Sequence, residues 1–208
     1  MQVTMNKKIA FVKEMERLKE IEKFAKVNKI PILHFEARKI LKELILKYQP
    51  ENILEIGTAI GFSGSLMLLL SKNSKLITIE KSDEAIEIAN QNFKALSLSN
   101  RVEVLKGDAT EIIKTLKTKF NFIFLDGPKA QYIYQLPFLL NLISDNGVIL
   151  VDNILFRGLV KSNEPLPKRY RTIVRNLRKF IQKVKENSAL KSEILTIGDG
   201  LMIIKKKL

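Results

Sequence analysis

The chain has 208 residues, 46% of them apolar, and carries 36 Lys and Arg against 22 Asp and Glu, a net charge of +14. That length and apolar content describe a folded domain and exclude a disordered, collagen-like or coiled-coil chain. Cys is absent and His occurs once, at His34. Disulfides, thiolate metal sites, thiol nucleophiles and His-rich metal centres are thereby excluded, which leaves the chemistry to carboxylates, Lys, amides or a cofactor.

In chain order, Ile9, Val12, Met15 and Leu18 space a first amphipathic helix. Ile30-Pro31 breaks it, and Ala37, Ile40, Leu41, Leu44 and Ile45 space a second. From Asn52 onward, short apolar runs alternate with amphipathic segments. Ile53-Ile56, Leu76-Ile79, Val102-Leu105, Phe120-Leu125 and Val148-Val151 read as strands, with helices near 63–71, 83–96, 109–117 and 130–143 between them. Continuous apolar strands alternating with helices predict a parallel sheet covered on both faces. A helix over 168–185 follows, then two strands, Glu193-Ile197 and Leu201-Ile204, joined at Gly198-Asp199-Gly200 as an antiparallel hairpin on the sheet edge. The expected fold is one doubly wound, seven-stranded α/β domain over 1–208, with residues 1–50 a helical cap and 51–208 the core. Neither a signal peptide nor an apolar run of about 18 residues is present, so no membrane contact and a cytosolic location are expected.

The charge is unevenly spread: residues 1–50 carry +6, residues 51–156 carry −2 and residues 157–208 carry +10. Between Lys168 and Lys185 eight basic residues occur without an acid. On a helix Lys168, Arg171, Arg175, Arg178 and Lys185 share one face, opposite Ile173, Leu177, Phe180, Ile181 and Val184. Solvated faces usually mix signs; a face of one sign suits an anionic polymer.

In an open parallel sheet, ligands bind outside the carboxyl ends of the strands, where the winding direction switches. The first strand runs into Gly57-Thr58-Ala59-Ile60-Gly61-Phe62-Ser63-Gly64, a glycine spacing unlike the dinucleotide fingerprint. Glu80 ends the second strand, where an acid can accept both ribose hydroxyls, and Gly107-Asp108-Ala109 and Asp126 follow the third and fourth. Singly, each acid reads as a cap or turn residue. Acids at consecutive strand ends disfavour a pyrophosphate and suit a cationic cofactor with a ribose, such as S-adenosylmethionine (SAM).

Asp126-Gly127-Pro128-Lys129 and Asp152-Asn153 follow the fourth and fifth strands and converge on the same rim. Two carboxylates and an amide oxygen are hard ligands suited to Mg²⁺. Lys129 is then placed to hold an oxyanion formed there or to remove its proton.

The segments ILEIGTAIGFS (Ile53 to Ser63), LDGPK (Leu125 to Lys129), VDNILFRGLV (Val151 to Val160) and IGDGLMIIKKK (Ile197 to Lys207) resemble the metal-dependent class I O-methyltransferases, which include catechol and caffeoyl-CoA enzymes. More narrowly, the chain resembles the bacterial tRNA 5-hydroxyuridine methyltransferases, which make 5-methoxyuridine at the wobble position. The resemblance implies SAM contacts at Ile32, Glu55, Gly57, Phe62, Ser63, Glu80, Asp108, Ala109 and Asp126, Mg²⁺ at Asp126, Asp152 and Asn153, and a homodimer. Phe62 stands where the family often has Tyr, and Gly127-Pro128 stand where it has Ala and a variable residue.

Both 5-hydroxyuridine and a catechol present two adjacent oxygens to a metal, so the chemistry does not choose between them. The charge favours tRNA, with Arg157, Lys161, Lys168, Arg169 and Arg171 as contacts to the anticodon arm, extended by Arg175 and Arg178 along the helix; the N-terminal lysines form a second surface. A small-molecule catechol or caffeoyl-CoA acceptor is the alternative. An RNA-binding module without catalysis is disfavoured by Asp126, Lys129, Asp152 and Asn153.

Overall fold

A computed structural model describes residues 2–207, with side chains described from residue 9. Two helices, α1 (Gln2–Val27) and α2 (Phe35–Tyr48), precede an alternation of β1 (Asn52–Ile56), α3 (Phe62–Leu70), β2 (Lys75–Glu80), α4 (Asp83–Ala95), β3 (Val102–Lys106), α5 (Ala109–Thr115), β4 (Phe120–Leu125), α6 (Tyr132–Leu142) and β5 (Ile143–Val151). The basic helix α7 (Arg171–Glu186) then leads to β6 (Leu190–Leu195) and β7 (Leu201–Lys206). The sheet order is β3-β2-β1-β4-β5-β7-β6. The first five strands are parallel, while β7 runs antiparallel to both β5 and β6. This is the doubly wound, Rossmann-like fold with an N-terminal helical extension.

The strands are apolar throughout because both of their faces are covered. Along β4, Phe122 and Phe124 point into one core with α1, α2 and α3, while Ile123 and Leu125 point into the other with α5, α6 and α7. The cap is part of the first core: Leu18, Ile21 and Ala25 of α1 and Ala37, Leu41 and Ile45 of α2 are buried with it. The early part of the α1 stripe departs from expectation, since Ile9 and Val12 are about half exposed, at 48% and 54%. On α7 the buried residues are Val174, Asn176, Leu177, Phe180 and Val184, so Ile173 and Ile181 flank the buried face.

The C-terminal pair also differs from the pattern. β6 starts at Leu190 and ends at Leu195, because pairing with β7 runs from Leu190↔Lys206 to Leu195↔Leu201 and leaves 196–200 as the turn. The edge strand is β6; β7 lies inside the sheet against the fully apolar end of β5. Among the described residues no helix is long and apolar enough to cross a membrane.

Candidate active site

The winding direction reverses between β1 and β4, and a crevice opens there over the carboxyl ends of the strands. Gly57, with φ +99°, turns the chain out of β1 at this point. A Cβ at Gly57 would lie 2.4 Å from the Asp126 carbonyl oxygen, so only glycine lets the β1 and β4 ends approach this closely. The cavity is about 440 Å³ and is lined from all sides by the strand ends and by residues 30–34, which lead into α2. Ile32, Gly57, Phe62, Ser63, Glu80, Asp108, Ala109, Asp126, Lys129, Asp152 and Asn153 all line it.

Two acids mark the β2 and β3 side. Glu80 is anchored by three backbone N–H groups: Ala59 donates to Oε2 at 3.0 Å, and Lys81 and Ser82 donate to Oε1 at 2.7 and 3.0 Å. A carboxylate held this firmly is preorganised to accept hydroxyl hydrogen bonds. Asp108 caps α5, accepting from Thr110 N–H at 2.8 Å, and faces the Gln131 amide. Burial pushes its carboxyl up, but the bonds from Thr110 and Gln131 outweigh that and hold it below the usual carboxylate range. Asp108 is thus both a helix cap and a wall of the site.

Glu55 does not line the cavity. It is fully buried behind the wall, accepting from Ser63 Oγ at 2.5 Å and Thr78 Oγ1 at 2.7 Å, while Thr78 and Thr58 share a 2.6 Å hydroxyl bond. Ser63 and Thr58 do face the cavity, so Glu55 orients hydroxyls of the cavity wall from behind. Burial pushes its carboxyl up to about 7, against the two hydroxyl bonds. Phe62 is buried with the Arg38 guanidinium 4.5 Å over its ring, and Arg38 in turn pairs with Glu22 at 2.8 Å, which ties the cap to the wall.

On the β4 and β5 side, Lys129 Nζ pairs with Asp126 Oδ1 at 3.0 Å. Asp152 is buried, and its Oδ1 accepts from the Asn153 N–H at 2.7 Å. Burial, and then the charge of Asp126, push the Asp152 carboxyl up to about 7. Asn153 sits in the left-handed region, φ +54°, and its side-chain amide takes no hydrogen bond among the described residues. Among the described residues no three His, Cys, Asp or Glu side chains cluster as a metal site. The two carboxylates and one amide do supply hard oxygen donors, and the single ammonium of Lys129 leaves a net negative charge, an environment that fits a divalent cation.

A family model for O-methyltransferases matches residues 7–207. The chain belongs to this family. It is a SAM-dependent O-methyltransferase. A catechol O-methyltransferase from Niastella koreensis is 31% identical over 80% of this chain and 79% of that protein. A caffeoyl-CoA O-methyltransferase from Populus kitakamiensis is 26% identical over 95% and 89%. The O-methyltransferase from Bacillus cereus, solved in complex with S-adenosylhomocysteine (SAH), superposes with a TM-score of 0.80 at 26% identity, covering 92% of this chain and 91% of that one.

Outside the cavity, the enzyme's expected basic residues fall into two groups. Arg157 and Arg169 stack on Tyr170, their guanidinium carbons 5.5 and 4.6 Å from its ring centre, and Arg157 also donates to the Tyr170 hydroxyl at 3.0 Å. Lys161, Lys168, Arg171 and Arg175 are exposed nearby, with Arg171 donating to the Leu166 carbonyl at 3.2 Å. Arg178 is differently employed: it donates to the carbonyls of Leu159, Val160 and Ser162 and clamps the loop that follows Asn153. Arg178 nonetheless keeps an exposed place on the basic face. Sequence reasoning missed Thr58, Lys81, Gln131 and His34, all of which line the cavity. Adjacency to Gly57, Glu80, Lys129 and Ile32 is the signal that would have found them.

Proposed function

We propose that the enzyme methylates one oxygen of a vicinal oxygen pair on a planar ring. SAM supplies the electrophilic methyl group, and a divalent cation at Asp126, Asp152 and Asn153 would acidify and align the accepting hydroxyl. Glu80 and Asp108 would hold the cofactor at the β2 and β3 ends. Lys129 Nζ, beside Asp126 in the same cavity, stabilises the oxyanion that the acceptor presents to the methyl group. The observation that carries this reading is the carboxylate pair of half-buried Asp126 and buried Asp152 with its lone ammonium, set in the same cavity as the anchored Glu80.

The acceptor class favoured by the relatives' activities is a small catechol or a caffeoyl-type ring. A second reading is supported by a separate observation. From Arg171 the exposed face of α7 carries Arg175, Lys179, Lys183 and Lys185 with no acid before Glu186. The buried Asn176 of the same helix bonds the Ala130 carbonyl beside Lys129 at 2.8 Å. A cationic track that begins next to the site suits 5-hydroxyuridine in the anticodon arm of tRNA, with transfer producing 5-methoxyuridine. Incubation with SAM and Mg²⁺, offering catechol and, separately, tRNA from cells lacking the methyltransferase, decides between them by mass spectrometry of the products. Methylated catechol alone supports the first acceptor and 5-methoxyuridine the second; neither product, with SAM bound, overturns the vicinal-oxygen reading. The homodimer implied by the resemblance is part of this proposal, and sedimentation of the purified chain tests it.

A further inference from the structure

His34 is the one histidine of the chain and occupies the N-cap of α2, with φ −61° and ψ 147°. That position favours Ser, Thr, Asp or Asn, whose side chains bond the free N–H groups of the first turn. The imidazole makes no such bond and takes no hydrogen bond among the described residues. It is exposed, yet it lines the same cavity as Lys129, Asp152 and Asn153. A residue that forgoes the local stabilising choice at a cavity wall marks a functional position.

The topology says which end of the cavity it serves. A Cβ built on Gly198 would lie 3.7 Å from His34 Nδ1, so the ring faces the turn between β6 and β7. The neighbouring Asp199 is laced to the loop after Asn153: its carbonyl accepts from Leu155 N–H at 2.8 Å and its Oδ1 from Arg157 N–H at 3.0 Å. These strands lie on the β5 side of the switch point, away from Glu80 and Asp108 on β2 and β3. The backbone beside His34 is held in place, because Arg38, one turn along α2, donates to the Leu33 carbonyl at 2.7 Å and is fixed by Glu22 and Phe62.

We infer that His34 contacts the methyl acceptor, offering a ring nitrogen or its flat face to the acceptor in the cavity it shares with Asp152 and Asn153. The inference rests on the reading that the acceptor is a planar ring with vicinal oxygens, but not on which of the two acceptors it is. An imidazole nitrogen can donate or accept toward such oxygens, and the ring stacks on a planar partner.

A lone histidine gives a single imidazole Cε1–H resonance in the full-length protein, so NMR reports this residue without assignment. With SAH and Mg²⁺ present, addition of catechol, or of tRNA bearing 5-hydroxyuridine, shifts that resonance beyond any shift caused by SAH. His34→Ala raises the KM for whichever acceptor is turned over by about tenfold, the scale of one lost hydrogen bond, while kcat and SAH affinity change less than about threefold. His34→Gln recovers part of the loss. Turnover with an unmoved resonance and an unchanged KM overturns the role of His34 and leaves the proposed function standing. A shift without turnover upholds the contact and counts against the proposed chemistry; neither shift nor turnover with either probe sinks both.

Discussion

The two halves of the active site are built on different principles. On the β2 and β3 side, the ligand-facing acids sit directly at strand ends and are fixed by backbone N–H groups, three on Glu80 and the α5 cap on Asp108. On the β5 side the wall is irregular chain. Asn153, Phe156 and Arg157 all adopt positive φ, as do Gly158, Gly198 and Gly200, and their loops are joined by the Asp199 bonds and the Arg178 clamp. On the proposed assignment, the acids facing the cofactor are fixed by backbone N–H groups, whereas the wall facing the acceptor is built from two interlocked loops that can change without disturbing the sheet.

This contrast can be broken by substitution. The largest effect is expected at Asp152→Ala, which removes a donor from the acceptor half: turnover falls about a thousandfold while SAM affinity, measured by calorimetry, stays within about twofold. Equal loss of SAM binding would abolish the division between the halves. Glu55 tests the foundation beneath the cofactor half. Its folded pKa of about 7 lies above the ordinary 4.5, so its contribution to stability is fully present below about pH 4.5 and is lost as pH rises through 7. Glu55→Gln removes that slope; unfolding in urea at pH 4.5 and pH 8 should show the variant gaining about 3 kcal/mol on the parent across the interval. A constant difference between the two would refute the buried-carboxylate account.

Glu80→Ala, at the cofactor half itself, is expected to weaken SAM binding by about 10- to 100-fold, as for lost bonds to a charged group, with the KM for acceptor little changed. The smallest effects belong to the basic helix. Arg175→Glu with Lys179→Glu is expected to lower tRNA affinity several-fold at low salt and less at high salt. Arg178→Ala instead lowers stability, by about 1 to 2 kcal/mol, because it releases three loop carbonyls. Unchanged tRNA affinity at low salt in the double variant would remove α7 from the RNA surface.

Strand-end residues on both sides of the cavity were legible: Glu80, Asp108, Asp126, Lys129, Asp152 and Asn153 were all expected there, and all line it. Period and strand-end position depend only on local sequence, and the runs at Ile53, Leu76, Val102 and Phe120 lie within a residue or two of the observed strands. What escaped depends on contacts distant in sequence. Glu55 carries the same motif position whether its side chain points up into the cavity or back toward Thr78, and only the packing of β2 decides. Arg178 matches the helical face of Arg175, but the loop carbonyls it meets lie 16 to 19 residues earlier. His34 has no spacing partner at all, since the neighbour its ring faces is a glycine 164 residues on.

The interior position of β7 also constrains how the protein is made. Val148–Val151 of β5 offers an apolar, unpaired edge until residues 201–206 arrive to pair with it. During synthesis the α/β core can therefore assemble through β5, but its sheet stays open and prone to foreign strand pairing until the segment after Gly200 leaves the ribosome. A stalled or clipped chain ending in the Gly198-Asp199-Gly200 turn would keep the cavity-lining residues and yet be an aggregation substrate.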